Sequence, residues 1–201
     1  MNVSKAKSLL ADAQALEGER LRRHLLVAAA LREVLDRPIV VGGTAEDYWT
    51  PDDYGETDLD LCAPLQRRDE ETLGDLGFER RRGSRHWYHP GARVAVEFPE
   101  ARIDGDESRT ILEEVGRGGA AEIIGLDDLY LDRLRHATMH EQAEGREFKS
   151  ALAVASANFD RIDWRYVRRV IRESDDMLSQ KMRQINSKIG RRIRKRLSEP
   201  E

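Results

Sequence analysis

A short apolar run that ends in two glycines limits the folds open to this chain more than any other feature. Ile39-Val40-Val41 follows Pro38, which excludes the helical conformation from the residue before it, and leads directly into Gly42-Gly43. Such a run is typical of a strand buried on both faces, and the glycines predict a tight turn at its carboxyl end. We expect a short helix to begin at Thr44, so that the turn lies at a helix N-terminus, where backbone N–H groups and the Thr44 hydroxyl are candidates to hold a phosphate.

Acidic residues alternate with apolar ones in the next strand-like segment. The pattern Asp58-Leu59-Asp60-Leu61 predicts a strand with both carboxylates on one face. Two carboxylates this close repel each other unless a cation lies between them, and Mg²⁺ suits carboxylate, water and phosphate oxygens. In a later run, Arg93 to Phe98, Glu97 points away from the face of Val94 and Val96. Glu97 is therefore the third acid of a candidate two-metal site.

The rest of the chain predicts helices around a small sheet. Residues 4–36 read as helix, divided near Gly18, with one apolar face formed by Leu21, Leu25, Ala28, Leu31 and Leu35. A helix over 67–76 precedes two β-like runs, 78–88 and 93–98, joined by a turn at Pro90-Gly91. Short strands are expected over 111–115 and 120–124.

Helices follow from Leu126 to the end. Asp163 is a predicted N-cap, and Arg161 to Leu197 has little to interrupt it apart from Gly190. The predicted fold class is α+β, a small mixed sheet flanked by helices. The chain divides into an N-terminal helical segment (1–36), a sheet-containing core (37–125), C-terminal helices (126–176) and a basic helical tail (177–201).

These motifs resemble the polymerase-β-like nucleotidyltransferase superfamily. The resemblance rests on Val41-Gly42-Gly43-Thr44-Ala45, on Asp58-Leu59-Asp60-Leu61 and on Val94-Ala95-Val96-Glu97-Phe98, in that order. Ile123 to Leu129 is similar to the start of the helical end of small members linked to toxin–antitoxin loci. The spacer of 14 residues between Gly43 and Asp58, Thr44 in place of serine, and Glu97 in place of aspartate depart from the common pattern.

The resemblance implies an activity and roles for these residues. It implies transfer of a nucleoside monophosphate from an NTP to a hydroxyl of a protein, an RNA or a small molecule. Asp58 and Asp60 would bind two Mg²⁺ ions, Glu97 would bind the ion that activates the hydroxyl, and Gly42 to Thr44 would hold the β- and γ-phosphates. The alternative is a non-catalytic regulator with the same fold that binds a partner protein or RNA.

The net charge of −4 conceals a separation of charge along the chain. Residues 177–201 carry +6 and the preceding 176 residues carry −10. A basic helix can bind RNA or a protein partner such as a toxin, and the candidate contacts are Arg191, Arg192, Arg194, Lys195 and Arg196. Ile185, Ile189 and Ile193 recur every four residues and favour packing on a partner helix or a second copy of the chain. The acidic body also leaves open modification of a small cationic substrate.

Several other classes and sites are disfavoured. A single cysteine, Cys62, excludes an internal disulfide and is expected to be a small buried residue. The sequence has no apolar run long enough for a membrane helix and no signal-like apolar segment near its first residues, so we expect a cytoplasmic protein. The pairs His86/His89 and His136/His140 have metal-compatible spacing but lack a supporting motif, so we expect surface or core histidines.

Overall fold

The computed structural model has an α+β fold and describes residues 1–50, 58–80, 83–139 and 145–198. Over these residues it contains eight α-helices and one mixed sheet of six strands. The chain forms two compact units, Met1–Gly125 and Leu126–Glu201, and the helices predicted as a separate N-terminal segment belong to the first. None of the described helices is long and apolar enough to cross a membrane.

The first unit holds the sheet and four helices. The helices are α1 (Val3–Ala15), α2 (Arg20–Arg32), α3 (Gly42–Trp49) and α4 (Arg67–Asp75). The strands are β1 (Ile39–Val40), β2 (Asp58–Cys62), β3 (His86–His89), β4 (Val94–Glu97), β5 (Ile111–Gly116) and β6 (Gly119–Ile123). The second unit is helical: α5 (Leu126–Met139), α6 (Arg146–Ala157), α7 (Trp164–Glu173) and α8 (Asp176–Ser198).

The strand order β3-β4-β2-β1-β6-β5 places the short strand β1 near the middle of the sheet. It pairs antiparallel with β2 and parallel with β6. Because Ile39 and Val40 are both buried, this strand is covered on both faces, as the apolar run predicts. On the other side of β2 lies β4, which runs parallel to β2 and pairs antiparallel with β3.

The predicted β-hairpin is present but shorter than expected. Of the described residues in this part of the hairpin, only His86–His89 form a strand, and Glu79 forms an isolated bridge with Tyr88. Residues 81 and 82 lie outside the described part of the chain. The same holds for residues 51–57, which lie between α3 and β2 in the sequence.

Helix α2 departs from the single apolar face predicted for it. Eight consecutive residues, His24 to Leu31, are buried. The helix contacts α1 and α3 as well as strands β2, β5 and β6, so protein surrounds its central part. The predicted apolar face is buried at Leu25, Ala28 and Leu31, but burial extends beyond it. A periodicity of apolar residues identifies one buried face and does not show whether a second layer covers the other.

The C-terminal helices correct two further expectations. The predicted continuous helix from Arg161 is broken at Ser174, whose backbone is extended, and Asp175 then accepts a hydrogen bond from the Leu178 N–H at the start of α8. The isoleucine stripe of α8 packs within its own unit: Ile189 and Ile193 are buried, and α8 contacts α5, α6 and α7. A partner helix is therefore supplied by the same chain.

Candidate functional site

The three predicted acidic residues lie on one face of the sheet. Strands β2 and β4 are parallel neighbours, with Asp58 opposite Ala95 and Asp60 opposite Glu97. Residues in register on adjacent strands point to the same side, and the intervening Leu59 and Val96 are buried on the other side. The structure therefore brings Asp58, Asp60 and Glu97 together on the half-exposed face.

The glycine turn approaches this face directly. Gly42 begins α3 with φ of +60°, a left-handed conformation that favours glycine, and the Val41 N–H donates to the Asp60 carbonyl at 3.0 Å. A Cβ atom added at Gly42 would collide with the carboxylate of Asp60. The site therefore requires glycine at position 42 for two reasons, the backbone conformation and the close approach of Asp60.

Thr44 has a different position from the one expected for a phosphate ligand. Its side chain is buried, and its hydroxyl donates to the Asp58 carbonyl oxygen at 3.4 Å. The same hydroxyl is joined to Nδ1 of His24 by a 2.9 Å hydrogen bond. The Thr44 hydroxyl therefore connects α3 to β2 and α2. Of the predicted phosphate-binding groups, the backbone N–H groups at the start of α3 remain candidates.

His24 supports the turn and was not identified by sequence reasoning. Because the Thr44 hydroxyl donates to the Asp58 carbonyl, the Nδ1–H of His24 donates to Thr44. Burial, together with the positive charges of Arg20 and Arg23, lowers the pKa of His24 to about 4. The imidazole is therefore neutral at pH 7. A polar residue at the start of the otherwise apolar run 24–31 was the available sequence signal.

Two basic side chains contact the acidic cluster. Nε2 of His86 lies 2.9 Å from Glu97 Oε2 and 3.6 Å from Asp58 Oδ2, and Nε of Arg85 lies 2.8 Å from Glu97 Oε1. The Glu97 side chain is 12% exposed and that of Arg85 is 79% exposed, so the arginine reaches the carboxylate from the solvent side. The Arg85 guanidinium therefore places a positive charge beside Glu97, and the His86 ring lies within reach of two of the three acids.

The donor chemistry suits Mg²⁺, but the side-chain arrangement is not that of a formed metal centre. Three carboxylates converge from adjacent strands, and such oxygens are the ligands that Mg²⁺ prefers. Among the described residues, however, no group of three or more His, Cys, Asp and Glu side chains is arranged to hold a metal ion. A cation at this site would compete with His86 and Arg85 for the carboxylate of Glu97.

The remaining candidate ligands lie elsewhere. His89 is buried: its Nε2 lies 3.2 Å from the Leu76 carbonyl, and its Nδ1 accepts from the Ala92 N–H at 3.0 Å. His136 contacts Asp132 one helical turn away, and His140 lies outside the described residues. Cys62 is buried, as expected.

The predicted basic residues of the tail lie on α8 in the second unit. Arg191, Arg194, Lys195 and Arg196 are exposed. Arg192 is half-buried, and its guanidinium lies 5.1 Å from the centre of the Phe148 ring. Four of the five predicted contacts are therefore open to solvent, whereas Arg192 partly covers an aromatic side chain of its own unit.

Comparison of the chain with protein-family models, with curated proteins and with solved structures finds no match.

Proposed function

We propose that this chain is a Mg²⁺-dependent nucleotidyltransferase that transfers a nucleoside monophosphate from an NTP to a hydroxyl group of a protein, an RNA or a small molecule. The observation that carries the proposal is the position of Asp58, Asp60 and Glu97 on one sheet face beside Gly42. Carboxylates that hold cations and a helix N-terminus that attracts phosphate are the two parts that a site for a metal-bound triphosphate needs.

Each acidic side chain has a role in this proposal. Asp58 and Asp60 bind two Mg²⁺ ions, and Glu97 binds one of them and accepts the proton of the attacking hydroxyl. When bound, the ions stabilise the charge on the attacking and leaving oxygens. The acceptor oxygen bonds to the α-phosphorus while the bond from that phosphorus to the bridging oxygen breaks, and pyrophosphate leaves.

Arg85 and His86 must release Glu97 before it can act. Nε of Arg85 and Nε2 of His86 lie 2.8 and 2.9 Å from its two oxygens, so each oxygen already has one close nitrogen contact. The Arg85 side chain is largely exposed and can turn into solvent without disturbing the core. In the proposal these two side chains hold the Glu97 carboxylate until substrate and cation enter together.

The same contacts favour a second candidate, a non-catalytic regulator that binds a nucleotide, a partner protein or RNA. In such a protein the contacts of His86 and Arg85 with Glu97 are permanent, and the acidic cluster serves only to hold β2, β3 and β4 together. The two candidates differ in one measurable property, since the first requires a divalent cation at Asp58, Asp60 and Glu97 and the second does not.

Cation binding and nucleotide transfer are measured on the same samples. The full chain is titrated with Mn²⁺, which replaces Mg²⁺ and is detected by electron paramagnetic resonance, with and without ATP. The chain is also incubated with each α-³²P-labelled NTP, Mg²⁺ and either total cellular RNA or a cell extract. The proposal predicts Mn²⁺ binding that ATP strengthens, and label transfer at least a hundredfold above the Asp58→Asn and Asp60→Asn variants.

Asp36→Asn and Glu114→Gln are the matched controls because both carboxylates are exposed and lie outside the acidic cluster. They should retain wild-type binding and transfer. Mn²⁺ binding that persists in Asp58→Asn and Asp60→Asn would refute the assignment of these residues as cation ligands. Nucleotide binding with no dependence on a divalent cation would favour the regulator.

A further inference from the structure

Helix α7 carries a face of arginines that sequence reasoning did not single out. Arg165, Arg168 and Arg172 are spaced by three and four residues, so they lie on one side of the helix, and all three are exposed. We call this set the α7 arginine face. The opposite side of the helix holds the buried Tyr166, Val167 and Ile171. Within the described part of the chain, no side-chain hydrogen bond or ion pair engages these three guanidinium groups.

Helix α8 adds a second basic surface in the same unit. Its apolar residues Met182, Ile189 and Ile193 are buried, and the helix packs against α5, α6 and α7. Its outer side near the C-terminal end presents Arg191, Arg194, Lys195 and Arg196, which we call the α8 basic end. Because the isoleucine stripe is already covered, these charges and not an apolar face are what α8 offers to a partner.

The charge on these two helices is strongly one-sided. Residues 164–198 contain twelve basic and three acidic residues, a net charge of +9, and nine of the twelve are arginines. Two of the acids, Asp175 and Asp176, lie at the start of α8, where Asp175 caps the helix. Like charges held this close repel one another, so a bound polyanion would stabilise this unit.

The type of polyanion follows from what these faces lack. Among the described side chains of α7 and α8, Met177 is the one large apolar group that is exposed. Protein interfaces derive most of their binding energy from buried aromatic and apolar anchors, and single-stranded nucleic acids are held by stacking on exposed aromatic rings. Apart from Met177, the described side chains of these helices offer neither an exposed apolar anchor nor an exposed aromatic ring. Arginines without aromatic anchors suit the phosphate backbone of a duplex, which guanidinium groups bind in a bidentate manner.

We propose that α7 and α8 bind the phosphate backbone of double-stranded nucleic acid without reading its sequence, through the α7 arginine face and the α8 basic end. The distance along the α7 axis from Arg165 to Arg172 is about 10 Å at ~1.5 Å per residue, which corresponds to about three phosphates of one strand. Each arginine of the α7 face can therefore contact a phosphate of its own. This inference is independent of any activity at Asp58, Asp60 and Glu97.

The test measures the salt dependence of binding to a fluorescein-labelled duplex of about 20 base pairs by fluorescence anisotropy. The full chain is compared with Arg165→Gln/Arg168→Gln/Arg172→Gln and with Arg191→Gln/Arg194→Gln/Arg196→Gln. Each triple variant should bind at least tenfold more weakly at 100 mM salt. The slope of log K against log salt should fall by about 2.7 units for three lost phosphate contacts on DNA. A circular dichroism melt checks that both variants remain folded.

The control Arg22→Gln/Arg67→Gln/Arg102→Gln removes the same charge from exposed positions in the first unit. It should leave affinity and slope within twofold of wild type. An equal loss in this control would show that only net charge matters and would overturn the proposal. So would tighter binding to a single strand or to poly-glutamate than to the duplex, or failure of the wild-type chain to bind the duplex at 50 mM salt.

Discussion

Replacement of His24 tests the buried polar contact beneath the glycine turn. Burial lowers the pKa of His24 to about 4, against an ordinary value of 6.5 in the unfolded chain. Between these two values the unfolded chain binds more protons than the folded one, so stability rises with pH across this window and is lost as pH falls from 6.5 towards 4. In the His24→Gln variant, which does not titrate, this dependence should be absent.

The size of the effect follows from the two pKa values. At pH 7 the imidazole is neutral in both states and the penalty is close to zero. At pH 5 His24 is protonated in the unfolded chain and neutral in the folded one, which lowers the unfolding free energy by about 2 kcal/mol. Acidification from pH 7 to pH 5 should therefore destabilise the wild type by about 2 kcal/mol more than His24→Gln. Any constant cost of the glutamine cancels in this difference.

Urea unfolding at pH 7 and pH 5 measures this difference. The wild type and His24→Gln are both compared in a Trp164→Phe background, so that the fluorescence of Trp49 and Trp87 reports unfolding of the first unit. The control is His136→Gln. A hydrogen bond with Asp132 raises the pKa of His136, so this histidine adds stability below pH 6.5 that is lost as pH rises, and its removal cannot reduce the loss on acidification. Equal losses in wild type and His24→Gln would refute the buried, neutral state of His24.

Two further substitutions test other contacts by urea unfolding at pH 7. Gly42→Ala should destabilise the chain by at least about 1 kcal/mol because of its positive φ and the collision with Asp60. Gly74→Ala, at an open position in the last turn of α4, should stabilise it by about 0.5–1 kcal/mol. A neutral Gly42→Ala would contradict the close approach. Tyr166→Phe removes the buried 2.6 Å hydrogen bond that the hydroxyl donates to Asp128 and should cost about 1–3 kcal/mol of unfolding free energy. Its control, Tyr88→Phe at an exposed ring, should change the unfolding free energy by less than about 0.5 kcal/mol. Equal effects would show that the Asp128 contact contributes nothing.

Local patterns predicted the elements of the candidate site well. The alternation from Asp58 to Leu61 indicated a strand with both acids on one face, and the structure has β2 over Asp58–Cys62 with Leu59 and Leu61 fully buried. The position of Glu97 away from Val94 and Val96 followed from the same period of two. These features are local because the pleat of a strand fixes the side on which each side chain lies.

Patterns were less informative where burial depends on a distant layer. The periodicity of α2 predicted one apolar face, yet the helix contacts both α1 and the sheet, and eight consecutive residues are buried. The isoleucine stripe of α8 predicted a partner, and helices of the same unit provide it. In each case the sequence identified the surface that must be covered, but not which element covers it.

The sequence by itself determined that this chain contains a short buried strand ending in glycines and two strands whose acids face outward. Only the tertiary structure decided that those strands are parallel neighbours with Asp60 opposite Glu97, that His24 lies beneath Thr44, and that His86 lies between Asp58 and Glu97. The physical reason is that side-chain direction is a local property of the backbone. Strand register and the approach of residues twenty or more positions apart depend on the packing of the whole unit.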